Sequence, residues 1–329
     1  GALIITRTPF RLTLGGGGTD LPSYYSKYGG YVVTTAVNKH MYIVVQRMFE
    51  DKIRVSYSRT EIVGSRDEIQ HPFVREALAF LKLSKNLEIV SVADVPARTG
   101  LGSSGSFGVG LLHALHIWKD DPIYPKKMAE ETCRIQMEIL KEDEGKQDPY
   151  IAAVGGIIAM DIEKSGKVGV TKIGLGQDAL HELQNSLLFF YTGLKRDSSY
   201  VLKEQQRSIG RDEAKVVESM HRIKEIGHEV RKALEKGDVE EFGRLQHEHW
   251  LAKRNVSSTV TSAQIDRWYR LGLENGAVGG KLIGAGGGGF LMFCCANGRD
   301  RLRKCMAAEG LKEIPFGIAT EGTKAIVNF

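Results

Sequence analysis

The residues best suited to bind a charged ligand lie in residues 95–112, VPARTGLGSSGSFGVGLL, where serines alternate with glycines. The stretch follows an apolar run, residues 87–93, that predicts a β-strand, and after Ser106 the apolar residues take up helical spacing. Glycines let backbone amides turn inward without Cβ clashes, and the first turn of a helix adds unpaired N–H groups and a partial positive charge. Strand, glycine-rich turn and helix therefore predict a cradle for phosphate groups.

Two well-known phosphate loops fit this stretch poorly. A Walker A loop requires a lysine after its glycines, and none follows here. Gly100, Gly102 and Gly105 match the dinucleotide fingerprint literally, but residues 95–99 separate them from the strand. The acidic residues about 20 positions further on, Asp120 and Asp121, lie in a turn without a strand before them. A Rossmann-type dehydrogenase stays open as an alternative, which titration with NADH would reveal.

Further residues of chemical interest are isolated along the chain. Asp148 stands in KQDPY, and an aspartate before proline, taken alone, favours a turn. Two more glycine-rich segments, residues 15–18 and 279–289, lie far from the first. Each one alone is explained as a separate turn.

The composition excludes several classes of function. Apolar content of 42% and charged content of 26% are ordinary for a soluble globular protein. The net charge of +5 arises from 45 basic and 40 acidic residues of mixed order, without a basic run that would indicate a nucleic-acid partner. Any cationic site should therefore be local and suited to a small anion.

Cysteine usage and hydropathy point to a reducing compartment. The four cysteines form no CxxC pair, and two of them lie in the apolar run FLMFCCA, which indicates buried free thiols. No stretch approaches the roughly 18 apolar residues of a membrane span, and the N-terminus lacks the basic and apolar regions of a signal peptide. We expect a cytoplasmic protein without a membrane partner, and the sequence leaves open whether it forms a homo-oligomer.

The elements that must position these loops follow an α+β pattern, with two domains expected at residues 1–185 and 186–329. A helix over residues 126–141 is predicted from a stripe of Met128, Thr132, Ile135 and Ile139. Other helices are predicted at residues 72–81 and 216–234, from Asp238, from Ser262, and up to residue 309. Strands are predicted at residues 1–14, 31–45, 53–57, 87–93, 157–162, 186–191, 290–296, 314–320 and 323–329.

Taken together, the three loops resemble a known family. PFRLTLGGGGTD resembles the first motif of the GHMP kinases, VPARTGLGSSGS the second and KLIGAGGGGFLMF the third, in the family's order and across nearly the full length. The resemblance implies a two-domain α+β fold, with a ribosomal S5 domain 2-like N-terminal domain and a ferredoxin-like C-terminal domain. It also implies an ATP- and Mg²⁺-dependent kinase whose active site lies between the domains.

The resemblance assigns roles to individual residues. Ser104 and Glu138 match the family's Mg²⁺ ligands, and Asp148 matches the catalytic aspartate that accepts or orients the substrate hydroxyl. Arg11 matches the arginine that lies beside this aspartate and offsets charge on the transferred phosphoryl group. Backbone amides of the second motif would bind the ATP phosphates, and these residues are Gly100, Leu101, Gly102, Ser103, Ser104, Gly105 and Ser106.

The first motif also indicates the substrate. Galactokinases carry an acidic residue and a histidine where this chain has Gly17 and Gly18, while Asp20 is kept to hold sugar hydroxyls. This pattern is most similar to bacterial D-glycero-D-manno-heptose 7-phosphate kinases, with fucokinase-like members next, so a sugar phosphate is expected. Its phosphate needs a local cation, for which Lys195 and Arg196 are the first candidates. The other substrate-binding candidates are Thr192, Gly193, Gly286 and Gly287.

Two alternatives remain within this interpretation. One is a kinase for fucose or another unphosphorylated sugar. The other is a nucleotide-binding regulator that keeps the fold without catalysis, against which Arg11, Ser104 and Asp148 argue because all three are retained.

Overall fold

The computed structural model describes residues 3–194, 198–211 and 213–329. The strands are β1 (Leu3–Gly15), β2 (Gly30–Arg47), β3 (Ile53–Ser56), β4 (Thr60–Val63), β5 (Leu87–Ala93), β6 (Ile157–Ile162), β7 (Val168–Lys172), β8 (Leu187–Tyr191), β9 (Gly279–Leu282), β10 (Phe290–Cys294), β11 (Lys312–Glu313) and β12 (Lys324–Asn328). The α-helices are α1 (Pro22–Tyr28), α2 (Pro72–Phe80), α3 (Ser103–Trp118), α4 (Pro125–Cys133), α5 (Gln147–Val154), α6 (Gln177–Ser186), α7 (Ser198–Gly210), α8 (Ala214–Lys236), α9 (Val239–Arg254), α10 (Ala263–Glu274) and α11 (Arg299–Ala308). A 3₁₀ turn spans Arg66–Glu68, and a π-helical turn, Arg134–Ile139, continues α4.

The first sheet is built on β2, which is long enough to pair with two strands along one edge. Its order is β12-β1-β2-β5-β3-β4, with β6 paired to the first half of β2 and β7 paired to β6. The second half of β2 pairs with β5, and β1 pairs with β2 along nearly its whole length. Burial in β1 alternates at first and becomes continuous from Thr8, because helices cover both faces beyond that point.

A break in the β1–β2 register precedes the first glycine loop. Pro9 lies opposite His40, whereas Phe10 lies opposite Val37, so two residues of β2 are left over. Proline cannot donate a ladder hydrogen bond, and such a bulge changes the direction of the residues that follow. Beyond the bulge, the Arg11 amide donates to the carbonyl of Leu101 at 3.0 Å, which ties the first motif to the second.

The second sheet is antiparallel in the order β11-β8-β10-β9. The predicted boundary at residue 185 falls at the end of α6, just before β8, but β12 returns to the first sheet beside β1. A single cut therefore does not divide the chain into two contiguous units. The predicted strand at residues 314–320 is wrong, since in that range only Ile318 makes an isolated bridge, to Val37.

Helices α8 and α9 connect the two sheets, because α8 packs on β1 and β2 while α9 packs on β9 and β10. The turn between them is the predicted one: Asp238 caps α9 by accepting from the Glu241 amide at 3.0 Å. The main buried cluster runs from Phe10 of β1 through Phe242 of α9 to Phe290 of β10. The two halves therefore share one continuous core. In the ranges described, the chain contains no helix that combines the length and the apolar character needed to cross a membrane.

The predicted helix at residues 126–141 is correct in its first half only. Met128, Thr132 and Ile135 are buried as the stripe requires, but Ile139 is exposed and Gln136 is buried instead. The π turn inserts an extra residue per turn, which rotates the following residues away from an α-helical stripe. Glu138, which lies in this turn, moves with them.

Candidate functional site

All three glycine-rich segments meet at one cleft of about 230 Å³ between the halves of the molecule. Residues of the first two predicted motifs line it, namely Arg11, Gly17, Gly18, Asp20, Gly100, Gly102, Ser103 and Ser104, together with Asp148 of α5. The third segment contributes Gly284 and Ala285, and helix α9 contributes His249 and Lys253. The cleft is therefore shared by elements from opposite ends of the sequence.

An ion pair between Arg11 and Asp148 lies at the centre of this cleft. The Nε of Arg11 donates to Oδ1 of Asp148 at 2.5 Å, and its Nη1 donates to the carbonyl of Gly100 at 2.5 Å. Both side chains are largely shielded, with 9% and 14% of their surface exposed, so the pair holds Asp148 in one orientation. Asp148 lies in the first turn of α5, where a carboxylate is favoured by the helix dipole.

The glycine turn lies against Asp148. Gly102, with φ of 72°, is the N-cap of α3, and in the described part of the chain no side chain caps that helix. A Cβ placed on Gly105 would lie 2.6 Å from the Cβ of Asp148, so a side chain there would push the aspartate away. The free amides of the first helical turn can therefore bind an anion right beside the carboxylate.

The second and third loops touch through their backbones. A Cβ on Gly284 would lie 2.4 Å from Cα of Gly100, and one on Gly289 would lie 2.3 Å from the carbonyl oxygen of Thr99. Residues with side chains could not approach this closely. The third loop thus closes the cleft directly over the second.

Asp20 is the second carboxylate of the cleft. It is buried and accepts from the backbone amides of Gly18 at 3.2 Å and Gln147 at 3.0 Å. Burial raises its pKa above the usual value. A Cβ on Gly18 would lie 2.4 Å from Nε2 of Gln205, so the space beside this glycine is partly filled by α7.

Glu144, which the sequence reasoning missed, lies where Glu138 was expected. The Oγ of Ser104 donates to Oε1 of Glu144 at 3.3 Å, and both residues line the cleft. Burial and the nearby Asp148 raise the pKa of Glu144 to about 8. Glu138, in contrast, is 74% exposed, pairs with Arg134 at 3.7 Å and faces a different groove. The structure therefore does not bring Glu138 to Ser104, because the π turn directs it outward.

A second, apolar cavity of about 250 Å³ adjoins the first at Ala97, Ser103 and Ser104. Met41, Phe73 and Phe107 line it, and the ring of His71 stacks on Phe107 at 4.9 Å. The start of α3 thus lies between a polar cleft and an apolar cavity, an arrangement suited to a ligand with a charged part and a flat apolar part.

Basic residues of α9 and β9 form a wall of the cleft that Glu144 and Asp148 also line. Lys281 of β9 is fully buried, with Nζ 3.1 Å from Nδ1 of His249. Lys253 donates to the carbonyl of Leu282 at 3.1 Å and to that of Gly284. Burial, with Arg11 nearby, lowers the pKa of Lys253 to about 7. Lys281 opens the predicted third motif, and this position was the only sequence signal for the wall.

The remaining predicted residues lie outside the cleft lining. Leu101 and Ser106 are buried, and Ser106 donates to the carbonyl of Pro9 at 2.8 Å. Gly287 donates to Val260 at 2.8 Å, and Gly286 packs on the same residue, so these two glycines support the third loop from behind. Thr192 donates to the carbonyl of Gly289 at 2.8 Å through its hydroxyl, and Gly193 is exposed. The cations predicted for a substrate phosphate, Lys195 and Arg196, lie outside the described residues.

Comparison with known proteins places this arrangement in a family. Residues 72–156 match the GHMP kinases N terminal domain, and residues 230–310 match GHMP kinases C terminal. A D-glycero-alpha-D-manno-heptose 7-phosphate kinase of Campylobacter jejuni subsp. jejuni is 28% identical over 98% of each chain. An L-fucokinase/L-fucose-1-P guanylyltransferase of Bacteroides fragilis is 24% identical, over 90% of this chain and 35% of that one.

A solved structure shares the fold over the whole length. The D-glycero-D-manno-heptose 1-phosphate kinase of Bacteroides thetaiotaomicron superposes with a TM-score of 0.79, covers 99% of both chains and is 24% identical. The predicted α+β kinase architecture is therefore confirmed. With both family domains present, in order and meeting at the cleft, the chain belongs to the GHMP kinases and is an ATP-dependent phosphotransferase.

Proposed function

We propose that the protein is a sugar kinase that transfers the γ-phosphate of ATP to the anomeric hydroxyl of D-glycero-D-manno-heptose 7-phosphate. The observation that carries the proposal is the Asp148 carboxylate, which Arg11 holds beside the open amides of α3. The full-length similarity to a heptose 7-phosphate kinase supports the choice of sugar. The product, a 1,7-bisphosphate, would supply nucleotide-heptose for surface polysaccharide.

The two cavities give ATP a consistent position. The adenine fits the apolar cavity lined by Phe73 and Phe107, and the triphosphate fits the amides at the start of α3. Ser103 and Ser104 line both spaces, so a nucleotide that passes over them fills both.

The residues beside the triphosphate suit Mg²⁺. Ser104 and Glu144 offer one hydroxyl and one carboxylate, and Mg²⁺ takes few protein ligands because water and phosphate oxygens complete its shell. The described residues contain no cluster of three or more acidic, histidine or cysteine side chains that would form an all-protein cage. We therefore assign the metal to Ser104 and Glu144 in place of the pair with Glu138. When bound, the ion neutralises charge on the phosphate oxygens.

The reaction needs little covalent chemistry from the protein. The anomeric oxygen bonds to the γ-phosphorus, the bond from that phosphorus to the bridging oxygen breaks, and ADP leaves. Asp148 accepts the hydroxyl proton and orients the oxygen, while Arg11 offsets charge on the transferred group. Asp20, between Gly18 and Gln147, is placed to hold sugar hydroxyls.

A fucokinase is the second candidate, since the relative from Bacteroides fragilis covers 90% of this chain. A regulator without catalysis is disfavoured because the geometry of Asp148 and Arg11 is intact. Turnover with a panel of sugars and sugar phosphates separates the candidates. A tenfold preference for fucose over heptose 7-phosphate would overturn the proposed substrate. Coupling between phosphorus and the C1 proton in the product's NMR spectrum would identify the position of transfer.

Replacing Asp148 with asparagine tests the proposed role directly. Asp148→Asn keeps the shape of the side chain but removes its capacity to take a proton. We expect kcat to fall by about two to four orders of magnitude, while the affinity for ATP stays within a few-fold. Turnover near that of the unchanged enzyme would refute the assignment of Asp148.

A further inference from the structure

The wall formed by Lys253, Lys281 and His249, here called the basic wall, has no anionic partner in the described part of the chain. The only polar contact that Lys281 makes there is with His249, and Lys253 is held only by backbone carbonyls. Arg11 is different, because Asp148 neutralises it. The basic wall, in which Lys281 and His249 are buried and Lys253 is half-buried, is therefore a group of nitrogen atoms that lines the cleft without a counter-charge from the described residues.

Leaving buried cations without an anion is costly, so such an arrangement indicates a ligand that brings negative charge. Burial lowers the pKa of Lys281 well below its usual value, and the neighbouring Lys253 adds to this effect. A neutral sugar would leave the two lysines without a negatively charged partner. A phosphate dianion would restore the charge on the lysines and accept several hydrogen bonds at once.

The triphosphate of ATP already has a separate set of partners. It is assigned to the amides of α3, with Ser104 and Arg11, on the N-terminal side of the cleft. The basic wall belongs to α9 and β9 on the C-terminal side, beyond the contact of Gly100 with Gly284. A second anion therefore fits this wall, and a phosphorylated sugar carries one.

We propose that Lys281, Lys253 and His249 bind the phosphate group that the acceptor sugar already carries. This inference rests on the proposed function, in which the acceptor is a sugar phosphate. It places the sugar between Asp148, which takes the reacting hydroxyl, and the basic wall, which holds the distal phosphate. Discrimination against unphosphorylated sugars would then come from α9 and β9.

Kinetics with a pair of substrates tests the site. Lys281→Met and Lys253→Met are compared for turnover of heptose 7-phosphate and of the same heptose without its phosphate. Lys224→Met is the matched control, since Lys224 also donates to two carbonyls, of Tyr28 at 2.7 Å and Gly29 at 3.1 Å, but lies outside the cleft lining.

We expect kcat/KM for heptose 7-phosphate to fall on the order of 30-fold in each cleft variant, because a charged hydrogen bond is lost. The KM for ATP and the turnover of unphosphorylated heptose should change by less than about threefold, as should all values for Lys224→Met. Lys281→Met should fold, because replacing an unpaired buried charge with an apolar side chain of similar volume is neutral or stabilising. A retained thermal shift with an ATP analogue verifies folding.

Two results would overturn the inference on its own. Unchanged selectivity in both variants would exclude the basic wall from phosphate binding, and equal losses with both sugars would assign it to the transferred phosphoryl group. A wild-type enzyme that uses the unphosphorylated sugar and rejects heptose 7-phosphate would instead overturn the proposed substrate, and the phosphate site with it.

Discussion

Replacing Glu144 with glutamine should change how the stability of the ligand-free protein depends on pH. Glu144 is shielded beside Ser104, and Asp148 adds a like charge nearby, which together raise its pKa to about 8. Between the ordinary pKa of 4.5 and this value, the folded state binds more protons than the unfolded state. The free energy of unfolding therefore falls as the pH rises through that window. Glutamine cannot ionise, so the free energy of unfolding of Glu144→Gln should lack this decrease with rising pH.

The magnitude follows from the same values. A rise from 4.5 to about 8, at about 1.36 kcal/mol for each pH unit, corresponds to a penalty of about 5 kcal/mol for the ionised form. Relaxation and entry of water reduce such penalties in proteins, so we expect at least about 2 kcal/mol to be observed. Glu144→Gln should match the wild type near pH 5 and exceed its stability by that amount near pH 9.

Urea unfolding from pH 5 to pH 9, with the metal chelated, measures this difference. Glu138→Gln is the control, since Glu138 is 74% exposed and pairs only with Arg134 in the described part of the chain, so its effect should be small at every pH. Titration with Mg²⁺ and an ATP analogue should show weakened binding in Glu144→Gln and unchanged binding in Glu138→Gln. A constant stability difference across the pH range, or weakened binding in the Glu138 variant alone, would refute our assignment of Glu144.

Three further substitutions test other parts of the site. Gly105→Ala should lower kcat by at least about tenfold and destabilise the fold by about 1–3 kcal/mol, because the new methyl group would overlap Asp148. Urea unfolding and turnover measure these effects. Gly174→Ala is the control, since no atom lies within 4 Å of its Cβ position. Asp20→Asn should raise KM for the sugar about tenfold or more and leave KM for ATP unchanged, since the proposed function gives Asp20 the sugar hydroxyls, and steady-state kinetics with each substrate varied checks this. Lys281→Met should leave the melting temperature of the ligand-free protein unchanged or raise it, which calorimetry measures, and a loss of more than about 2 kcal/mol would show that the lysine is structurally satisfied.

Local patterns were sufficient to predict the glycine loops and the residues inside them. Gly102, Ser104 and Asp148 are close in the structure although two of them are more than 40 residues away from the third. The order of the three motifs and their resemblance to the GHMP kinases carried this prediction, since each glycine-rich segment alone indicates only a turn. The amphipathic helix α8 and the cap at Asp238 were predictable for the same reason, since each depends on near neighbours.

The carboxylate that lies beside Ser104 could not be predicted in this way. Glu138, Glu142 and Glu144 all precede Asp148, and the choice among them depends on the helical phase at that point. The π turn at Arg134–Ile139 changes this phase, and nothing in its local sequence distinguishes it from an α-helix. A helical projection therefore does not show that Glu138 is exposed and lies away from Ser104.

Contacts between distant segments of the chain could not be predicted from local patterns either. The alternation in β12 indicates a strand but contains no information about its partner, which is β1 at the opposite end of the sequence. The basic wall has the same character, because Lys281 and His249 are 32 residues apart and read separately as a surface lysine and a helix histidine. Whether these two residues can form a binding site depends on their burial, which the fold determines.

The charges of the cleft connect stability with function. The N-terminal half contributes the carboxylates of Glu144 and Asp20 to the cleft, and the C-terminal half contributes the amines of Lys253 and Lys281. Asp20 and Lys281 are buried, Glu144 and Lys253 are half-buried, and the pKa of each is shifted toward the neutral form. Among the described residues, these carboxylates form no ion pair with these lysines. Neither charge therefore compensates the other in the empty cleft. In the proposed function, Mg²⁺ would compensate the charge of Glu144, and an anionic substrate would compensate the charges of Lys253 and Lys281. Each group that weakens the empty protein should therefore strengthen a liganded state, so Glu144→Gln and Lys281→Met should each stabilise the former and impair the latter. A variant that destabilised both states would show that its residue serves the fold alone.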